Sequence, residues 1–298
     1  MTTLTDLIDR IATDHLVSAR RPYRNRLNGA ITDSATSLTL TRDFGAALKA
    51  GGRLSIGLED LEVWSADSTL KTCDVERGSY GTTAASHLNN DTVLVNPKYS
   101  PAQILRALND ELLALPGDGL FRYQEVTLTS NSSKLGYEIP STANVIDVYE
   151  VRIESLQATN DWFTVHDWEI VRNADTTDFP SGVAIMFPGF ITNGRPIRIT
   201  YRSAFDQLAT LNDNVETVSG IDTRMLDIVS MGAAIRLLGG TAVHAANPWT
   251  QGTARRADEV PVGSVRQSAT LLREIRLNRI NDERGIQMRS YPPRGRHR

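Results

Sequence analysis

The sequence predicts an α+β protein. A small β-barrel-like domain and an antiparallel β-sandwich combine with a helical part and an extended basic C-terminal arm. Three observations carry this. Residues 36–95 read as short alternating apolar and polar runs broken by glycine. Residues 121–206 alternate again, with turn residues at regular intervals. Four other stretches carry the 3.6-residue apolar period of a packed helix.

Taken in order, Leu4, Leu7, Ile8 and Ile11 repeat at helical spacing, and Thr3 with Asp6 forms an N-terminal cap pair. This helix and the Arg-rich linker "ARRPYRNR" occupy 1–35. The small β-domain, 36–98, holds about five strands: "SLTLTR", "RLSIGLE", "LEVWSA", "LKTCDVER" and "TVLVNP". "SPAQILRALNDELLALPGD" is the clearest helix. Ser100 caps it, Pro101 takes the first position, Gln103 completes a capping box, and Pro116-Gly117 stops it. The sandwich follows at 121–206. A helix at about 222–238 carries Gly232, Ala233 and Ala234, small enough for close helix approach, and ends at Gly239-Gly240. The last helix spans about 264–283. Residues 99–120 and 207–283 thus form a helical core, and 284–298 the basic arm.

The chain of 298 residues is 40% hydrophobic and 22% charged, an ordinary water-soluble composition. Cys73 is the single cysteine, so neither an internal disulfide nor a multi-cysteine zinc site forms. "MTTLTDLIDRIATDHLV" lacks the apolar centre of a secretory leader, and no apolar run reaches membrane-spanning length. The expectation is assembly in the cytoplasm without membrane contact.

The net charge of −3 hides an asymmetry. Residues 254–298 hold eleven Arg and five acids, a charge of +6, which leaves −9 for the remainder. Arg284, Arg289, Arg294, Arg296 and Arg298 lie in the arm. Arg20, Arg21, Arg24 and Arg26 form a second basic cluster. Basic segments on an acidic body suit an anionic partner, either nucleic acid or the acidic face of a neighbouring subunit. A solvated tail is the alternative for the arm.

The motif search returns few sites. "VERGSYGTTAASH" (75–87) has the look of a phosphate loop, yet Thr82 follows Gly81 where such a loop needs lysine. Neither a dinucleotide fingerprint nor a nucleophile elbow occurs. His15, His87, His166, His244 and His297 stand singly, so no metal or other cofactor is expected. His166 and Asp167, adjacent on a strand, would face opposite ways. The pairs Glu59-Asp60 and Asp282-Glu283 read as solvated turns and helix faces. Trp162 and Trp168 would share one face of a strand, as sandwich core or as a sugar-stacking platform. No catalytic set emerges, and the expectation is a protein that is not an enzyme. Within 75–87, Gly78 and Gly81 supply left-handed backbone, and Thr82 or Thr83 would cap a short helical turn through Ala84-Ala85. A strand then resumes near Thr92.

Two groups of residues carry a family resemblance. Arg77, Gly78, Gly81, Thr82, Thr83, Ala84, Ala85 and His87, leading into a strand and a proline-started helix, resemble a segment of tailed-phage neck proteins. "SGIDTRMLDIVSMGAAIRLLGG" is similar to the Gly-Ala-Ala helix of phage head-to-tail adaptors, carried by Met231 to Leu238. Together they cover roughly a third of the chain. The long β segments depart from the small helical adaptors and are closer to the β-rich gatekeeper type. The resemblance implies a virion protein that joins other copies in a ring, twelve in that family, beneath the portal. Such a ring continues the DNA channel and docks the next neck or tail protein. Residues 284–298 would then meet the portal or the packaged DNA. A carbohydrate-binding tail or baseplate protein, using the sandwich, is the alternative.

Overall fold

A computed structural model describes residues 2–16, 23–139, 145–155, 157–158, 160–245 and 264–292, with the side chains of 240–245, 264–266 and 268 left out. It is a mixed helix and sheet protein. The chain divides into two compact units: Met1–Glu111 with Gln207–Arg279, and Leu112–Asp206 with Ile280–Arg298.

In the first unit, α1 (Leu4–Arg10) opens with the expected capping box between Thr3 and Asp6 and runs on into a π turn, Ile11–His15. Leu4, Leu7, Ile8 and Ile11 are buried, and the Leu4 and Thr5 amides donate to the carbonyls of Asp213 and Leu211. Six strands follow: β1 (Tyr23–Arg26), β2 (Ser37–Thr39), β3 (Arg53–Ile56), β4 (Glu59–Asp67), β5 (Thr72–Glu76) and β6 (Thr92–Val95). They form one antiparallel sheet in the order β1-β6-β3-β4-β5-β2. The sheet is a curled half-barrel, and it curls far enough that its two edge strands meet where Leu27 bridges Leu40. Leu38, Leu54, Ile56, Leu61, Val63, Cys73, Val75, Val93 and Val95 fill its interior. Burial there, with the charge of Asp74 nearby, pushes the Cys73 thiol up to about 12.

β1 lies in the stretch expected to be a linker. The linker reading failed because three of the four residues of "YRNR" face water and the inward one, Asn25, is polar. Asn25 nonetheless belongs inside. Its Nδ2 donates to the Arg42 carbonyl at 2.8 Å, and its Oδ1 accepts from the amides of Arg26 (2.8 Å) and Arg42 (3.0 Å).

The helices of this unit pack through one carboxylate. α2 (Pro101–Ala114) begins at Ser100 with the expected box: Ser100 Oγ accepts from the Gln103 amide, and Gln103 Oε1 from the Ser100 amide. α3 (Val215–Ser219) is a short turn, and α4 (Leu226–Ala245) follows. α4 continues through Gly239-Gly240, because glycine weakens a helix without ending one that is otherwise supported. On α2, Glu111 is 3% exposed; it takes Nε of Arg236 at 3.0 Å and the Arg276 guanidinium. Arg276 lies on α5 (Ser264–Ser290). Gly232 makes room for this carboxylate, since a β-carbon there would come within 2.1 Å of Glu111 Cδ. The expected small-residue contact is thus a seat for a buried charge.

In the second unit, a four-stranded sheet has the order β10-β9-β13-β7, with β7 (Arg122–Thr129), β9 (Val145–Glu154), β10 (Trp162–Val165) and β13 (Pro196–Ser203). A three-stranded sheet has the order β11-β12-β8, with β8 (Gly136–Glu138), β11 (Glu169–Arg172) and β12 (Val183–Met186). Both are antiparallel and share one core, in which Tyr137, Ile185 and Phe187 meet Val151, Ile153, Ile197 and Ile199.

α5 outruns its expected end at 283 by seven residues. Ile280 and Glu283 are buried, and Gln287 brackets Phe121, accepting from its amide at 3.2 Å and donating to its carbonyl at 2.9 Å. Tyr291 then stacks on Tyr123 with centroids 3.6 Å apart, while Tyr149 stands edge-on to both. The Tyr149 hydroxyl donates to the Pro292 carbonyl at 2.8 Å. The arm as far as 292 is therefore held by its own chain. Glu283 is also no solvated acid.

Gly232→Ala gains about 1 kcal/mol of helix propensity yet drives a methyl into a carboxylate pinned by two arginines. The expected net outcome in urea unfolding is a loss of about 1–2 kcal/mol. A neutral or stabilised variant would show that Glu111 moves aside freely.

Candidate functional site

β4 begins immediately after the Gly57-Leu58 turn, and its first two residues are acids. Pairing sets Ile56 opposite Glu59 and Ser55 opposite Asp60. Alternation then sends Glu59 to the face of Leu61 and Val63, and Asp60 to the other. Both are buried, at 2% and 0% exposure. The solvated reading of this pair is overturned, and the reason is the turn 75–87, which folds over it.

That turn places five donors on Glu59. Arg77 grips it twice, Nε to Oε1 and Nη2 to Oε2, each at 2.8 Å. The amide of Gly78 donates to Oε1 at 3.0 Å and that of Ala85 to Oε2 at 3.1 Å. An ionised carboxylate only accepts, so His87 donates through Nε2, at 2.8 Å from Oε2. Burial alone would raise the acid's pKa. The bonds from Arg77, His87 and the two amides outweigh it and hold the carboxyl at about 2. Arg77 also ties neighbouring loops, donating to the carbonyls of Thr32, Ala35 (3.1 Å) and Ala85 (2.6 Å).

Asp60 organises the opposite face. It accepts from Arg53, Ser55 and, at 2.9 Å, from Ser100 Oγ, the cap of α2. The expected helical turn at Ala84-Ala85 does not form. Thr82 looks backward instead: its Oγ1 accepts from the Asp60 amide at 3.0 Å and donates to the Ser79 carbonyl at 2.8 Å. The helical character lies earlier, in a 3₁₀ turn at Ser79–Gly81 flanked by left-handed Gly78 (φ 61°) and containing left-handed Gly81 (φ 74°). Tyr80 in that turn accepts at its carbonyl from Arg106 of α2 at 2.6 Å, and its ring lies 4.5 Å from the Arg53 guanidinium. Thr83 is exposed and takes no part in the network.

The remaining sequence candidates scatter. Arg24 and Arg26 are exposed on β1, with Arg20 and Arg21 outside the described residues. Arg284 and Arg289 are exposed on the last turns of α5, with Arg294, Arg296 and Arg298 outside the described residues. His166 and Asp167 are exposed in the connection after β10. Trp162 and Trp168 do not share a strand. Trp162 opens β10 with its ring centroid 4.1 Å from the Arg198 guanidinium, and Trp168 packs on the apolar core of the second unit. Among the described residues no group of three or more His, Cys, Asp or Glu is arranged to hold a metal, and no helix is long and apolar enough to cross a membrane.

Sequence reasoning missed Glu59 and Asp60, Arg42 and Glu111. For Glu59 a signal existed, since a strand whose later residues Leu61 and Val63 alternate inward puts its first residue on the same face. Comparison with known proteins is silent: no family model matches the sequence, and no curated protein matches it significantly.

Because the folded-state pKa of Glu59 is depressed from 4.5 to about 2, its contribution is fully present above the unfolded value. It is lost as pH falls through that window. Glu59→Gln should remove this slope between about pH 5 and 2 and cost about 3 kcal/mol at neutral pH, the scale for breaking a buried pair. Chemical denaturation across pH reads both. An unchanged slope would exclude Glu59 as its source.

Proposed function

We propose that the protein is a structural virion subunit of a tailed phage, a head-to-tail adaptor of the gatekeeper-like kind. Copies would form a ring under the portal, extend the DNA channel and dock the next neck or tail component. The observation that carries this reading is the set of exposed apolar side chains on α5, two of which, Leu271 and Ile275, form a pair on one side. Leu271 is 58% exposed, Ile275 43%, Leu277 44% and Met288 56%. Leu271 and Ile275 are one turn apart and lie on the same side. Leu277 and Met288 lie on another side of the helix, so the Leu271–Ile275 pair is what a neighbouring subunit would cover.

The lock around Glu59 supports the reading in a second way. Of the eight turn residues that carry the phage resemblance, five, Arg77, Gly78, Gly81, Thr82 and His87, have internal partners or left-handed backbone and bind the β-domain together. Their recurrence in a family then reflects how the domain is built. Arg284 and Arg289 keep the proposed role of portal contact, joined by residues 293–298. Truncation to test that contact belongs after Pro292, since Gln287, Tyr291 and Pro292 serve the chain's own sheet.

The expected outcome in mass photometry is a ring-sized assembly, formed by the chain alone or on adding its cognate portal. Leu271→Glu/Ile275→Glu should leave the circular dichroism spectrum unchanged and reduce the assembly to monomer. A wild-type chain that stays monomeric with the portal present would refute the reading.

A further inference from the structure

The basic cluster on β1 is half of a larger feature that the linear sequence does not show. Arg24 and Arg26 sit two residues apart on a strand, hence on one face, with Asn25 pointing the other way into the protein. The side-chain amide of Asn25 grips the backbone of Arg42 at both its N–H and its C=O. This fixes a third arginine, sixteen positions on in the chain, beside the first two. Arg24, Asn25, Arg26, Thr41, Arg42 and Thr92 then line a cleft of about 410 Å³.

None of the three guanidiniums forms an ion pair or hydrogen bond among the described residues, in a molecule that otherwise pairs its buried acids closely. The acids adjacent in sequence to the lining residues Arg42 and Thr92 are bonded to backbone: Asp43 accepts from the Gly45 amide at 2.7 Å and Asp91 from the Leu88 amide at 2.8 Å. The positive charge is local, since the chain as a whole carries −3.

We propose that this cleft binds the phosphodiester backbone of nucleic acid. Arginines with threonine hydroxyls are a usual phosphate-contacting set, and Asn25, buried and bonded to the backbone, serves by holding Arg42 in place. Residues i and i+2 of a strand are separated by roughly 6.7 Å along it, so Arg24 and Arg26 reach separate charges on an extended polyanion while Arg42 approaches from the side. The lining holds no apolar or aromatic side chain, and a protein partner would need such an anchor at the centre of its interface. Phosphate contacts alone carry no sequence information, so the binding is indifferent to sequence and sensitive to salt. The inference rests on the channel reading above only for the kind of nucleic acid met, duplex DNA.

The test is fluorescence anisotropy of the full chain with a labelled duplex of random sequence over a range of salt. The plot of log affinity against log salt should lose about 0.9 in slope for each arginine removed. Arg24→Ala and Arg26→Ala should each show that loss, and Arg24→Ala/Arg26→Ala/Arg42→Ala should lose about 2.7 in slope and at least ~tenfold in affinity at low salt. The three Arg→Lys changes should retain most of the slope. All three side chains face solvent, so circular dichroism should report an intact fold in each variant. Slopes unchanged by the substitutions would overturn the proposal. So would binding of polyglutamate as tight as duplex at equal charge, or displacement of the duplex by inorganic phosphate at equal phosphate concentration. The cleft and the ring fail separately: a monomer whose duplex binding depends on these arginines supports the cleft while denying the ring. Rings indifferent to duplex deny the cleft alone.

Discussion

One buried carboxylate, Glu59, holds the first unit in its shape. An acid placed inside a protein is costly unless its oxygens are filled by donors, and here five donors converge on it from a single turn. Because those donors come from residues 77–87, the turn cannot drift from the strand it covers. The adjacent acid extends the constraint. Asp60 takes the cap hydroxyl of α2 and so ties that helix to the sheet, and α2 carries Glu111 into Gly232 and onto Arg236 and Arg276. A short chain of charges therefore runs from the half-barrel through α2 to α4 and α5. Buried ion pairs of this kind add little net stability against an apolar alternative, but they penalise wrong arrangements heavily.

The second unit relies on different physics. Its two sheets share an apolar core, and the last turn of α5 is fastened to its own sheet by stacked tyrosines and one glutamine. Tyr123, Tyr149 and Tyr291 combine large contact area with hydroxyls, which suits a docking near the surface. Polar residues at the end of a chain are ordered here by contacts within the chain, with no partner required as far as Pro292.

Much of the architecture was legible. Capping chemistry at Thr3 and Ser100 marked two helix starts, and period-two alternation located strands in both β segments. What escaped has a common cause. β1 hid because its inward residue is Asn25, whose partner lies seventeen positions away at Arg42. The burial of Glu59 hid because its donors sit eighteen to twenty-eight residues downstream. The length of α4 was underestimated because Gly239-Gly240 was taken as a stop where the helix runs on, and α5 runs seven residues past its expected end at 283. The turn 75–87 was recognised as notable from its residues, but its role needed Glu59 to be seen inside it. Periodicity reports which face is apolar; it does not report which polar residue will be buried by a distant loop.

The central claim is that the 75–87 turn exists to hold an ionised Glu59 inside the protein. It is tested most directly by following the side-chain carboxyl of Glu59 by carbon NMR through an acid titration of the folded protein. The account predicts a midpoint at about 2, far below the ordinary value of 4.5. A midpoint near 4.5 would mean that the carboxylate is solvated and that the turn is not its lock.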